Sequence, residues 1–267
     1  MRLGASRDAG RRGKLPDSSG RVVLSARVRG RAFARCLARA VSKRIPRAGG
    51  LGRMDYRYIV VEGPIGVGKT SLSNILAERL AGRRILEVVE ENPFLSSFYT
   101  DRQKFAFQTQ IFFLLSRFRQ QQELFQQDLF SSMTVSDYLF AKDRIFAHLN
   151  LDAHELALYE RVFEALGPRV AKPDLVIYLQ ARLDVLLHRI KKRGREFERK
   201  FDPTYLEGLV HSYNNFFFHY TDTPLLVVDT SDIDFVNVEA DREDLLATIR
   251  KAKPGTQHYV PKASRRG

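Results

Sequence analysis

Residues 63–70 read Gly63-Pro64-Ile65-Gly66-Val67-Gly68-Lys69-Thr70, a G-x-x-x-x-G-K-[ST] string. Such a string acts as a phosphate cradle only between a strand and a helix. Both flanks are legible. Tyr58–Glu62 is a short apolar run of buried-strand length, and Lys69–Ala81 carries a helical pattern. In that setting the backbone of Gly63, Gly66, Val67 and Gly68 turns its N–H groups towards phosphate oxygens, and the helix N-terminus adds its positive end. Lys69 is then placed to neutralise β- and γ-phosphate charge, and Thr70 to give its hydroxyl to Mg²⁺.

The chain beyond the loop alternates strands and helices. Strands are predicted at Arg84–Val89, Met133–Ser136, Asp174–Leu179 and Leu225–Asp229. Helices are predicted over Asp101–Asp128, Tyr138–Asn150, Ala153–Leu166, Leu183–Lys192 and Val236–Lys251, with a further helix opened by Asp202 as N-cap and Pro203 at its first position. Alternation of this kind specifies an α/β fold with a parallel sheet covered on both faces, here a P-loop NTPase with five strands. No apolar run approaches the 18 residues of a membrane span; the longest, such as Ile111–Leu115, are of buried-element length.

The net charge of +13 suggests nucleic acid as a partner until its distribution is followed. Residues 1–53 hold thirteen Arg and two Lys against Asp8 and Asp17, so residues 54–267 sum to zero. The basicity belongs to the N-terminal segment, and the body has no electrostatic footprint for DNA beyond local patches. Three readings of that segment compete: a disordered extension, an organellar transit peptide whose amphipathic part is Val22–Arg44, or translation that begins at Met54. The body is expected in the cytoplasm, or in the mitochondrion if the segment is a transit peptide. Cys36 is the single cysteine, so the body forms no internal disulfide, in keeping with a reducing compartment. The histidines show no metal-ligand spacing, and Mg²⁺ arriving with ATP is the metal the sequence implies.

The loop alone leaves GTPases, ATPases and small-molecule kinases open. Six ordered segments narrow the choice: Gly63–Thr70, Glu87–Leu95, Tyr99, Gln110–Arg117, Ser136–Phe146 and Arg189–Glu198. Together they resemble the deoxynucleoside kinase family, which includes deoxycytidine, deoxyguanosine and deoxyadenosine kinases. The resemblance implies transfer of the ATP γ-phosphate to a deoxynucleoside 5′-hydroxyl, in a homodimer. It gives Glu87 the role of accepting the 5′-hydroxyl proton, with Glu90 as the competing carboxylate. Gln110 and Arg117, two helical turns apart, face the nucleobase, and Asp143 pairs with Arg117. Tyr99 and Glu198 bond the sugar 3′-hydroxyl. Asp137, at a strand end, reaches the Mg²⁺ shell. Arg189, Arg193 and Arg195 form an arginine-rich lid over the triphosphate.

Three positions depart from the family pattern. Val88 stands where relatives carry Pro, and Thr109 where they often carry Phe. Tyr138 stands where they carry Arg, which removes a cation from the 5′ end of the substrate; Arg144 or a lid arginine is the expected substitute. Two other readings stay open: a nucleoside monophosphate kinase, and a kinase-fold protein that binds nucleotide or another subunit without transfer.

Overall fold

The computed structural model describes residues 56–87, 89–127, 133–195 and 202–261. The basic segment 1–53, Val88 and Glu198 lie outside the described residues. Six strands form one wholly parallel sheet: β1 (Tyr58–Glu62), β2 (Arg83–Ile85), β3 (Thr134–Ser136), β4 (Leu175–Gln180), β5 (Leu225–Asp229) and β6 (Thr256–Tyr259), in the order β2-β3-β1-β4-β5-β6. Ile59, Val60 and Val61 are fully buried, because a central parallel strand is covered on both faces and so reads as an unbroken apolar run. β1 pairs with β3 on one side and with β4 on the other, in the register Val60↔Ser136 and Val60↔Val176. The chain therefore changes direction across β1, and a parallel sheet binds ligands at the carboxyl ends of its strands where that reversal occurs.

Eight helices are described: α1 (Lys69–Arg79), α2 (Leu95–Thr100), α3 (Arg102–Gln127), α4 (Asp143–Asn150), α5 (Ala153–Leu166), α6 (Leu183–Arg193), α7 (Pro203–Phe218) and α8 (Glu239–Arg250). Asp152 caps α5 through a reciprocal capping box with Glu155, and Asp202 caps α7 by accepting from the Thr204 N–H. Leu72 and Leu76 of α1 and Leu245, Leu246 and Ile249 of α8 close the core against β1, β3, β4 and β5. No helix among the described residues is long and apolar enough to cross a membrane.

The sheet has six strands rather than five. β6 reads Thr-Gln-His-Tyr and alternates exposed with half-buried positions, so this edge strand carries no apolar signal and is held by its ladder to β5. β2 ends at Ile85, short of the predicted Val89, because the Glu87 N–H donates to Asp137 Oδ1 (2.7 Å) and draws the chain out of the sheet. The helix predicted from Tyr138 begins at Asp143. Before it the chain is pinned by the Leu139 N–H on Glu62 Oε2 (2.6 Å) and then makes one 3₁₀ turn, Phe140–Lys142. α8 starts at Glu239 rather than Val236, because Asp234 accepts from the N–H groups of Val236 and Asn237 and holds them in a loop.

Candidate active site

The Gly63–Thr70 loop leaves the end of β1 and closes on α1. Gly63 has φ 152°, and a Cβ there would lie 2.3 Å from the Leu179 carbonyl oxygen, so only glycine lets the loop start so close to β4. Gly68 has φ 108°, and a Cβ there would meet the Phe235 ring at 2.9 Å. Val67 is fully buried and joins the loop to the hydrophobic core. Lys69 Nζ donates to the Gly63 carbonyl (2.7 Å). Burial and the like charge of Lys142 bring the Lys69 amine down to about 8, partly offset by Glu62, Glu87 and Asp137.

Thr70 Oγ1 donates to Asp137 Oδ2 (2.7 Å). A hydroxyl and a carboxylate side by side at the mouth of the loop are hard oxygen donors. They fit Mg²⁺, which takes one or two protein oxygens and completes its shell with phosphate oxygens and water. Among the described residues no cluster of three His, Cys, Asp or Glu side chains offers another metal site.

Glu87 lies in the same cavity, and its two oxygens differ. Oε1 accepts from Arg117 Nε (2.9 Å) and also from Arg117 Nη2, while Oε2 accepts from Lys142 Nζ (2.7 Å). Burial alone would push this carboxyl up. The Arg117 and Lys142 cations more than reverse that and hold it well below the usual carboxylate range. Glu90 is 56% exposed, pairs with Arg195 (3.1 Å) and is not itself among the residues lining the cavity. Position therefore separates the two carboxylates that the sequence left in competition.

The cavity measures about 1390 Å³, above the usual range for a single small ligand and wide enough for a nucleoside beside a triphosphate. Tyr99, Gln110, Phe113 and Arg117 line it, with Gln110 3% exposed and the Arg117 guanidinium 4.6 Å from the Phe113 ring centroid. Arg117 also pairs through Nη1 with Asp143, the expected partner. Arg189, Arg193 and Arg195 line the same cavity. The Arg189 guanidinium ties the phosphate loop to the segment after β5: it donates to the carbonyls of Val67 (3.2 Å), Thr230 (2.8 Å) and Ile233 (3.3 Å).

Two buried charges escaped the sequence reading. Glu62 accepts from the N–H groups of Gly63 (2.9 Å) and Leu139 and from the Tyr213 hydroxyl (3.0 Å); an acid ending an apolar strand just before the loop was its signal. Lys142 reads as part of a solvated Lys-Asp-Arg run, yet its side chain is 2% exposed and lines the cavity. Arg144, one of the expected substitutes for the missing arginine, is 47% exposed and pairs with Glu160 (3.0 Å). Tyr138 is buried against Ile85 and Tyr58 and does not line the cavity.

Comparison with known proteins gives the family. A family model described as deoxynucleoside kinase matches residues 59–252. A deoxyguanosine kinase of Bacillus subtilis is 36% identical over 199 residues, covering 73% of this chain and 96% of that one. A deoxyadenosine/deoxycytidine kinase of the same organism is 33% identical over 198 residues, covering 72% and 90%. The solved structure of a deoxyadenosine kinase from M. mycoides with bound dATP superposes with a TM-score of 0.64 at 28% identity, covering 74% of this chain and all of that one. With the phosphate loop, the carboxylate and the wide shared cavity in one sheet crevice, these matches show that the chain belongs to the deoxynucleoside kinase family.

Proposed function

We propose that the chain transfers the γ-phosphate of ATP to the 5′-hydroxyl of a deoxynucleoside, giving the deoxynucleoside monophosphate and ADP. The observation that carries this reading is the shared cavity, which Lys69, Thr70, Asp137 and Glu87 line together with Tyr99, Gln110, Phe113 and Arg117. Glu87 takes the hydroxyl proton as the O5′–P bond forms, and the γ-P–O bond breaks with its electron pair leaving on ADP. The strongly ionised state of Glu87 makes it a weak base, which suits a loose transition state in which positioning does most of the catalysis. Mg²⁺, held by Thr70 and Asp137, would neutralise charge developing on the phosphates. Gly63, Gly66, Val67, Gly68 and Lys69 hold the triphosphate, with Arg189 behind the loop and Arg193 and Arg195 over it.

Within the same reading, Tyr99, Gln110, Arg117 and Asp143 hold the nucleoside, together with Glu198. The enzyme is a homodimer of a 54–267 kinase domain, preceded by the basic segment 1–53, and works in the cytoplasm or, with a cleaved leader, in the mitochondrion. A carboxylate facing the acceptor suits a neutral hydroxyl and would repel a monophosphate. The deciding experiment offers the four deoxynucleosides in competition with Mg·ATP and records product masses. Failure to phosphorylate any of them at micromolar enzyme would sink the proposal.

A further inference from the structure

Lys142 sits where a lysine is costly to bury, so its partners indicate its use. Nζ is 2.7 Å from Glu87 Oε2 and 3.8 Å from Glu62 Oε2. The irregular chain between Asp137 and Asp143 holds it there: Glu62 pins the Leu139 N–H, and the Lys142 N–H returns to the Leu139 carbonyl (3.0 Å). A continuous helix from Tyr138 would carry the side chain elsewhere. Position 138 sends its ring into the pocket of Ile85 and Tyr58, and the Lys142 ammonium stands 5.9 Å from the centroid of that ring.

The lone pairs of Glu87 give this placement a consequence. An ionised carboxylate accepts about two hydrogen bonds per oxygen. Among the described residues Arg117 uses both sites of Oε1, whereas Oε2 carries the single bond from Lys142. Oε2 is therefore the oxygen with room for a substrate hydroxyl, and the ammonium beside it has further N–H donors beyond the one that Glu87 accepts.

We propose that Lys142 is the positioning cation of the transfer centre, aligning Glu87 Oε2 with the acceptor hydroxyl and supplying the positive charge that Tyr138 cannot. The inference rests on the deoxynucleoside kinase reading. It assigns the lost arginine's task to a residue four positions later, brought round by a 3₁₀ turn.

The test compares Lys142→Met, Lys142→Gln and Lys142→Arg with wild type in kcat, in KM for ATP and for the preferred deoxynucleoside, in ATP affinity by calorimetry and in melting temperature. In whichever neutral variant folds, kcat should fall by about 10²–10³-fold, the range expected for one catalytic-centre charge. ATP affinity should stay within about threefold of wild type, as removal of an interaction made in the transition state requires. Lys142→Arg should recover at least tenfold of the loss, because it keeps the charge. The idea is overturned if a folded neutral variant keeps kcat within threefold of wild type. It is equally overturned if kcat and ATP affinity fall together, or if arginine restores nothing. An inactive wild type would instead overturn the parent reading.

Discussion

Arg117 donates from both Nε and Nη2 to one oxygen of Glu87, which joins the residue expected at the base to the residue expected at the 5′-hydroxyl. The same guanidinium holds Asp143 through Nη1. Glu87 and Asp143 are thus braced by one side chain. Arg117→Met would leave Asp143, 1% exposed, as a buried charge without this partner. Removing one partner of such a pair costs about 3–5 kcal/mol, measurable by urea unfolding. Arg117→Met with Asp143→Asn should cost less than the two single changes added together.

Glu87→Gln should lower kcat by about 10²–10⁴-fold, the usual contribution of a positioned proton acceptor. Glu90→Gln should stay within about threefold of wild type, since it removes an exposed pair with Arg195 worth roughly 0–1 kcal/mol. Steady-state rates at saturating ATP compare the two directly. Equal losses would put the proton acceptor in doubt.

Two glycines should respond in opposite directions. Gly63→Ala drives a Cβ into the Leu179 carbonyl at 2.3 Å from a left-handed backbone, so it should destabilise by at least about 1–3 kcal/mol and abolish ATP binding. Gly208 lies inside α7, where an added Cβ meets Leu149 Cδ1 at an ordinary 3.7 Å. Gly208→Ala should therefore stabilise by about 0.5–1 kcal/mol. Thermal melting with and without ATP distinguishes the cases.

Arg189→Lys should behave as a loss rather than a conservative change. The planar fork of Arg189 reaches the Val67, Thr230 and Ile233 carbonyls together, and a single ammonium cannot span them. A higher KM for ATP with a lower melting temperature is expected; an unchanged KM would show that the clasp does not set the loop.

Asp202 gives the pH dependence. The hydrogen bond from Arg102, followed by the Thr204 N–H, holds its carboxyl below the usual range. A depressed folded value means that the stabilisation is present above the unfolded value near 3.9 and fades as pH falls through the folded one. Asp202→Asn keeps a capping side chain but loses the charge. It should melt below wild type at pH 7, and the gap should close on acidification below about pH 4.

Much of the scaffold was legible because a parallel sheet leaves a strong linear trace. Leu225–Asp229 and Ala153–Leu166 occupy the predicted residues, the first as an unbroken apolar run and the second as a capped amphipathic helix. The Thr256–Tyr259 strand left no trace, since backbone pairing to β5 rather than side-chain burial makes it a strand. The break before Asp143 was hidden for a related reason: local pattern from Tyr138 onwards is compatible with helix, and the Leu139 N–H is taken by Glu62, 77 positions away.

The sequence by itself determined the phosphate loop and the strand and helix that flank it, because turn, dipole and cradle all lie within the one continuous stretch Tyr58–Arg79. It also determined that the +13 charge belongs to residues 1–53 and not to the body. Tertiary structure alone decided which of Glu87 and Glu90 faces the cavity, and which cation of the Lys142-Asp143-Arg144 run is buried there. Those outcomes depend on desolvation and on partners brought from β1, α3 and the turn before α4. A charged residue looks the same in sequence whether water or a buried carboxylate surrounds it.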